Sequence, residues 1–232
     1  MQCVVLAGGL GTRMRPTTES VPKAMLEVAG KPFVAWQLEQ LARGGVDEVL
    51  FCIGHLGDTI RGFVGDGTRW GLSVQYSADG EHLLGTGGAL RLAFDREMLA
   101  EQFLVTYGDA YLTVDLAGLI AELDKVGAPV VMTVWHNQGH VVPSNADFDG
   151  ASVLYRKGPT DLALEFVDYG MLAVRRLIIE SIEPGAVVDL ARVLEDLSVR
   201  GVLAGLEVAE RCYEIGSPEG MAALSERLAR PA

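Results

Sequence analysis

This chain is short of positive charge. Lysine and arginine together number 19 against 31 aspartates and glutamates, for a formal net charge of −12. Nucleic-acid binding draws its affinity from neutralising many backbone phosphates, so a chain this acidic is not built for that partner. No apolar run approaches the length that crosses a bilayer. Residues 4–7 are too short, and lack the basic flank, for the apolar segment of a secretory leader. A cytoplasmic protein without a membrane partner is expected. Cysteine is sparse as well: Cys3, Cys52 and Cys212 show no paired spacing, which points to reduced structural thiols rather than a disulfide framework or a zinc site. His136 and His140 lie four apart, but Asn137-Gln138-Gly139 does not favour the helix that a metal-binding pair needs, so both read as loop histidines facing solvent. No proline- and serine-rich linker and no internal repeat divides the chain. With 232 residues, 49% of them hydrophobic, a single domain spanning 1–232 is expected.

Against that acidic background, residues 6–25 concentrate glycine and cations. Cys3-Val4-Val5-Leu6 is a short apolar run that reads as a strand buried on both faces. Gly8, Gly9 and Gly11 follow it, and with no Cβ in the way successive backbone N–H groups can turn toward an anion. Arg13 and Arg15 add guanidinium forks suited to phosphate, while Lys23 supplies a point charge from a segment that Pro22 holds extended. The pattern describes a site for a small polyphosphate. It is not the dinucleotide fingerprint, whose third glycine would fall on Met14, nor a P-loop, because Gly11-Thr12-Arg13 does not supply Gly-Lys-Ser/Thr. An ordinary strand-to-helix turn that uses glycine for tightness is the plain alternative.

Over its whole length this stretch resembles the signature of the sugar-1-phosphate nucleotidyltransferases, the nucleotide-sugar pyrophosphorylases. The resemblance implies that Leu6, Ala7, Gly8, Gly9, Gly11 and Thr12 wrap the nucleotide, that Arg13 contacts the β- and γ-phosphates, and that Lys23 reaches the phosphates at the reaction centre. Arg13, Lys23 and Asp109 are the catalytic residues it implies. The runs at 107–112 and 167–170 are most similar to the short, single-domain enzymes that activate manno-heptose 1-phosphate for surface polysaccharides.

Strand-like runs recur near 2–7, 47–53, 71–77, 102–107 and 129–135, with helix-like spacing between them at 33–43, which Gly44-Gly45 ends, and at 116–126. The alternation predicts an α/β fold, a Rossmann-like mixed sheet flanked by helices, with ligands at the carboxyl ends of the strands. About residues 1–135 form the nucleotide-binding part. From about 136 to 175 glycine, proline and asparagine rise, which suggests a sugar-binding lobe with short strands near 152–155 and 166–174. Helices near 175–182, 189–199 and 218–229, and a strand near 202–208, complete the chain.

Residues 103–107 form an apolar strand that delivers Gly108-Asp109 to this edge, where a carboxylate beside phosphates suits Mg²⁺. An aspartate capping the next turn would read the same way. The resemblance makes Asp109 a metal ligand and places Glu214, in Tyr213-Glu214-Ile215-Gly216, where the family usually has a second aspartate or asparagine. Glutamate is one methylene longer, and a cap or salt bridge is its simpler role. Gly85-Thr86-Gly87-Gly88 opens a helix; its small residues would let a base lie against the backbone, or Thr86 would cap the helix. By resemblance Gly85, Thr86 and Gly87 hold base and ribose with Glu81 or Asp79, and a carboxylate suits the donors of guanine, so GTP is the expected nucleotide. Also by resemblance, Gly108, Asn145, Lys157, Asp168, Tyr169 and Gly170 bind the sugar phosphate. Without it, Lys157 and Asp168 would be a surface lysine and a turn aspartate.

The expected reaction is NTP and sugar 1-phosphate to NDP-sugar and pyrophosphate, with Mg²⁺ as cofactor; a homodimer is allowed for. The alternatives are a uridylyl- or other nucleotidyltransferase for a different sugar or alcohol phosphate, or a non-catalytic nucleotide-sugar-binding regulatory subunit.

Overall fold

The structure, a computed structural model, describes residues 1–14, 16–80, 82–138 and 142–229, apart from the side chains of Arg13 and Thr17. Arg15, Glu81 and His140 therefore lie outside the described residues, as does the Arg13 side chain. The architecture is mixed α/β with a central, mostly parallel sheet flanked by helices. Two compact units are distinguished, one made of 1–83, 106–111 and 213–232, the other of 84–105 and 112–212.

In the first unit, strands Gln2–Ala7, Glu48–Ile53 and Ser73–Ala78 pair in parallel in that order, with Ala7 opposite Ile53 and Ile53 opposite Ala78. The middle residues of the first two are apolar on consecutive positions, as in a sheet covered on both faces, and Cys3, Val4, Val5 and Phe51 are fully buried, whereas Ser73–Ala78 alternates buried and exposed positions. Helix Phe33–Arg43 contributes Phe33, Val34, Leu38 and Leu41 to the core and ends at Gly44, with Gly45 at positive φ. A further cluster joins Leu26, Val28, Phe33, Tyr111, Ile215 and Leu224, so the helix Pro218–Ala229 near the end of the chain packs against its beginning.

In the second unit, strand Val130–His136 pairs in parallel with Leu203–Val208 and antiparallel with Phe166–Arg175. Ala146–Phe148 and Val153–Tyr155 form a small antiparallel ladder at Phe166. Helices Gly85–Asp95, Leu116–Val126 and Leu190–Val199 belong here, the last two capped by Asp115 and Asp189 side chains. Residues Arg176–Ser181, expected as an α-helix, form a 3-10 run of six residues. Two of its three consecutive apolar residues, Ile178 and Ile179, are β-branched, and Pro184 follows closely, so the segment is too short for an α-helix to propagate and closes as 3-10 turns. His136 is another correction: it ends a strand rather than lying in a loop, and its ring stacks on Phe166 with centroids 4.9 Å apart.

None of the three cysteines is in a disulfide, and burial pushes the Cys3 thiol up to about 12. No described helix is long and apolar enough to cross a membrane.

Candidate active site

In the first unit the glycine loop leaves the end of strand Gln2–Ala7 and is folded back on itself by two bonds to one carbonyl. Met14 N donates to Gly11 O at 2.9 Å and the buried Thr18 Oγ1 donates to it at 2.7 Å. Gly11 is needed twice over. Its φ is +62°, and a Cβ there would stand 3.0 Å from Thr18 Cβ and 3.2 Å from Lys23 Cγ. The loop is thus packed directly against the stem of Lys23. Pro22, extended at ψ 147°, starts the short 3-10 turn Lys23–Met25, which sets the Lys23 stem beside Gly11.

Lys23 Nζ donates to Asp109 Oδ2 at 2.9 Å. The two residues are 86 apart in sequence, and three main-chain contacts bring the aspartate there. Gly108 N donates to Leu6 O at 2.9 Å, Ile215 N donates to Asp109 O at 3.0 Å, and Ala110 pairs with Glu214 in a two-residue antiparallel ladder. Glycine at 108 permits the first, since a Cβ would come within 2.8 Å of Ala7 Cβ. Gly8, Gly11, Lys23 and Asp109 consequently belong to one constellation, and Asp79 borders it, with its Oδ2 3.5 Å from where a Gly8 Cβ would lie.

Glu214 is near in register but engaged elsewhere. Its Oε1 accepts from Ser217 Oγ at 2.6 Å and its Oε2 accepts from Gly216 N, while Ser217 Oγ accepts from Gly220 N at 3.0 Å. The carboxylate therefore sits over the start of helix Pro218–Ala229, where a negative charge meets unpaired N–H groups.

In the second unit the glycines of 85–88 serve close packing. Gly87 N and Gly88 N both donate to Val188 O, at 2.8 and 3.1 Å, and a Cβ on Gly88 would approach Ala186 O to 2.4 Å. Thr86 is not the cap of its own helix, whose N-cap is Leu84. Its hydroxyl accepts from Leu190 N at 2.8 Å and donates to Asp189 Oδ1 at 3.1 Å, so it braces the start of a different helix.

Lys157 meets the same aspartate: its Nζ pairs with Asp189 Oδ2, and its backbone N donates to Glu195 Oε1 at 2.8 Å. Burial alone would raise the Asp189 carboxyl; bonds from Lys157, Ala191 and Thr86 and the Lys157 charge hold it below its ordinary value. Asn145 Oδ1 accepts from Asp168 N at 2.8 Å, and Asp168 Oδ1 accepts from Gly170 N at 2.9 Å. Burial pushes Asp168 up to about 6 against that one lowering bond. Tyr169 is 1% exposed and exchanges hydrogen bonds between its hydroxyl and the Thr113 main chain, so its side chain serves packing. A cleft of about 940 Å³ opens beside Asn145 and Gly158, walled by Pro159, Leu162 and Leu164.

Sequence reasoning missed Asp189 and Glu195. An aspartate before an apolar helix announces a cap, but nothing local announces a lysine partner 32 residues away.

The MobA-like NTP transferase domain matches residues 3–178. The chain is 30% identical over 198 residues to the N-acetylmuramate alpha-1-phosphate uridylyltransferase of Neisseria meningitidis, covering 84% of each. It is 35% identical over 116 residues to a D-glycero-alpha-D-manno-heptose 1-phosphate guanylyltransferase of Aneurinibacillus thermoaerophilus, where the match spans 50% of this chain and 49% of the relative. Among solved structures, HddC from Yersinia pseudotuberculosis complexed with GMP-PN superposes with a TM-score of 0.79 at 23% identity, covering 98% of this chain and 99% of that one; at that identity the likeness speaks for the fold. The loop–lysine–aspartate constellation and these matches agree, and the chain belongs to the MobA-like NTP transferase domain family, among the sugar-1-phosphate nucleotidyltransferases.

Proposed function

We propose that the protein transfers GMP from GTP to the 1-phosphate of a manno-heptose-type sugar, releasing pyrophosphate. The observation that carries the reaction is the Lys23–Asp109 pair packed against the glycine loop, a cation and a carboxylate at 2.9 Å beside a phosphate cradle. A sugar phosphate oxygen is already an anionic nucleophile. It forms the new bond to the α-phosphorus as the bond to pyrophosphate breaks on the opposite side, so no serine or cysteine nucleophile is required. Lys23 and the loop N–H groups hold the triphosphate for this displacement, and Arg13 meets the departing pyrophosphate. In the sugar half, Lys157 takes the sugar phosphate after exchanging Asp189 for it, while Asn145, Asp168 and Gly170 order the sugar hydroxyls.

Magnesium takes one or two carboxylates and completes its shell with phosphate oxygens and water, and Asp109 beside the loop fits that donor set. Among the described residues no group of three or more His, Cys, Asp or Glu could hold a metal, and substrate phosphate oxygens and water would complete a shell begun by Asp109. Glu214 joins only through a water or after releasing Gly216 and Ser217. When bound, the ion neutralises charge on the α-phosphate.

Guanine is favoured because Asp79 presents a carboxylate next to Gly8, matching the base's N–H donors. A second reading, uridylyl transfer to N-acetylmuramate 1-phosphate, is favoured by the Neisseria relative that covers 84% of both chains. Pyrophosphate release with each NTP against a panel of sugar 1-phosphates separates them. The first reading expects kcat/KM for GTP above that for UTP by about tenfold or more; the reverse order establishes the second.

A further inference from the structure

Helix Phe33–Arg43 turns an apolar stripe of Phe33, Val34, Leu38 and Leu41 inward, and Gln37 stands in the middle of it at 3% exposure. A primary amide there is costly unless it is bonded. Its Nε2 donates to Tyr107 O at 2.8 Å and to Ala110 O at 3.0 Å. These are the carbonyls on either side of Gly108-Asp109. Both protons of one nitrogen thus tie the two ends of the four-residue turn whose third residue is Asp109. The turn is also held by the main-chain bonds from Gly108 to Leu6 and from Ile215 to Asp109, by the Ala110–Glu214 ladder and by Lys23 Nζ on the Asp109 carboxylate. Gln37 adds the side-chain contact that closes it from the helix side. Two donors on one planar group are what this requires: leucine has none, and glutamate presents oxygens to oxygens.

The geometry points to Gln37 as a positioning residue that fixes the Asp109 turn in the orientation needed to hold the divalent ion. The inference rests on the reading of Asp109 as the metal-holding carboxylate. Gln37, 3% exposed and bonded to Tyr107 O and Ala110 O, acts through the turn. Losing its two bonds lets the turn relax and moves the Asp109 carboxylate off its aim, while the glycine loop, which Gly11 and Thr18 hold independently, keeps binding nucleotide.

The test uses full-length Gln37→Leu, Gln37→Glu and Gln37→His, with Asp109→Asn alongside. Binding of Mn²⁺ in the presence of a non-hydrolysable NTP analogue is followed by electron paramagnetic resonance, and kcat and the KM for NTP are measured as a function of Mg²⁺. The expected result is Mn²⁺ affinity and kcat each lowered about tenfold or more in Gln37→Leu and Gln37→Glu, with the NTP KM nearly unchanged at saturating metal. Gln37→His, which keeps one donor, should recover part of both. Should Gln37→Leu fail to fold, the order His above Glu in Mn²⁺ affinity carries the same decision. Folded variants that bind Mn²⁺ like the parent, while Asp109→Asn does not, overturn the inference and leave the metal reading standing. Unchanged Mn²⁺ binding in Asp109→Asn overturns the metal reading itself.

Discussion

Each of the two compact units holds a lysine against an aspartate, and they hold it differently. Lys23 and Asp109 are mostly buried, with side chains 18% and 28% exposed, and main-chain bonds anchor the aspartate from two directions. Lys157 and Asp189 are 53% and 42% exposed, and Asp189 is at the same time the cap of helix Leu190–Val199. A half-exposed ion pair contributes about 1 kcal/mol at most and opens readily, whereas a pair set in packed backbone keeps its geometry. On the proposed reading, Lys23–Asp109 is a preformed cradle for nucleotide, and Lys157–Asp189 is a latch whose lysine is parked on a carboxylate that an incoming phosphate would replace.

The largest effect should come from the cradle. Asp109→Asn keeps the shape and removes the charge, and is expected to lower kcat by about 100-fold or more; a loss below threefold would break the comparison at its stronger end. The next contrast is one of pH. Asp168 has its carboxyl raised to about 6, so the fold favours its protonated form. The stability this contributes is complete below the ordinary value of 3.8 and is lost as pH rises through about 6. Parent and Asp168→Asn melted side by side from pH 4 to pH 7 should therefore diverge by about 2 kcal/mol, the parent falling relative to the variant as pH rises. A constant difference would mean that Asp168 is solvated normally. Third, Lys157→Met keeps the stem and deletes the charge; KM for the sugar 1-phosphate should rise about tenfold while KM for NTP holds. Equal changes in both would erase the distinction between cradle and latch. Smallest is Thr86→Val, which removes the donor to Asp189 and the acceptor for Leu190 N. A loss of about 1 kcal/mol in thermal stability is expected, with NTP KM unaffected if the hydroxyl works only as this brace.

The same contrast explains what could be read from the chain and what could not. Strand Gln2–Ala7, the loop after it and helix Phe33–Arg43 were legible because their signals are local: a β-branched run, three glycines, an apolar stripe ended by Gly44-Gly45. The arrival of Asp109 at a strand end was legible for the same reason. The small ladder of Ala110–Tyr111 with Tyr213–Glu214 was not, because two-residue strands have no period. Glu214 could be assigned a neighbourhood from its motif but not a direction; the direction is set by Gly216 and Ser217, two and three residues on. Thr86 looked like the cap of its own helix and instead accepts from Leu190 N, bracing a helix that Asp189 caps more than a hundred residues later. Gln37 was hidden by its setting, since an apolar stripe gives no hint that the polar residue within it has partners at 107 and 110.

The turn carrying Asp109 is seated largely through amide hydrogens and carbonyl oxygens, atoms that nearly every residue possesses. Selection can exchange the side chains at Leu6, Ala110 and Ile215 without touching those bonds, provided the path of the chain is kept. Drift around such a turn is cheap, whereas drift at Gly108, where a single methyl would collide with Ala7, is not. A lineage can therefore rewrite most of its letters and retain the place where its carboxylate stands.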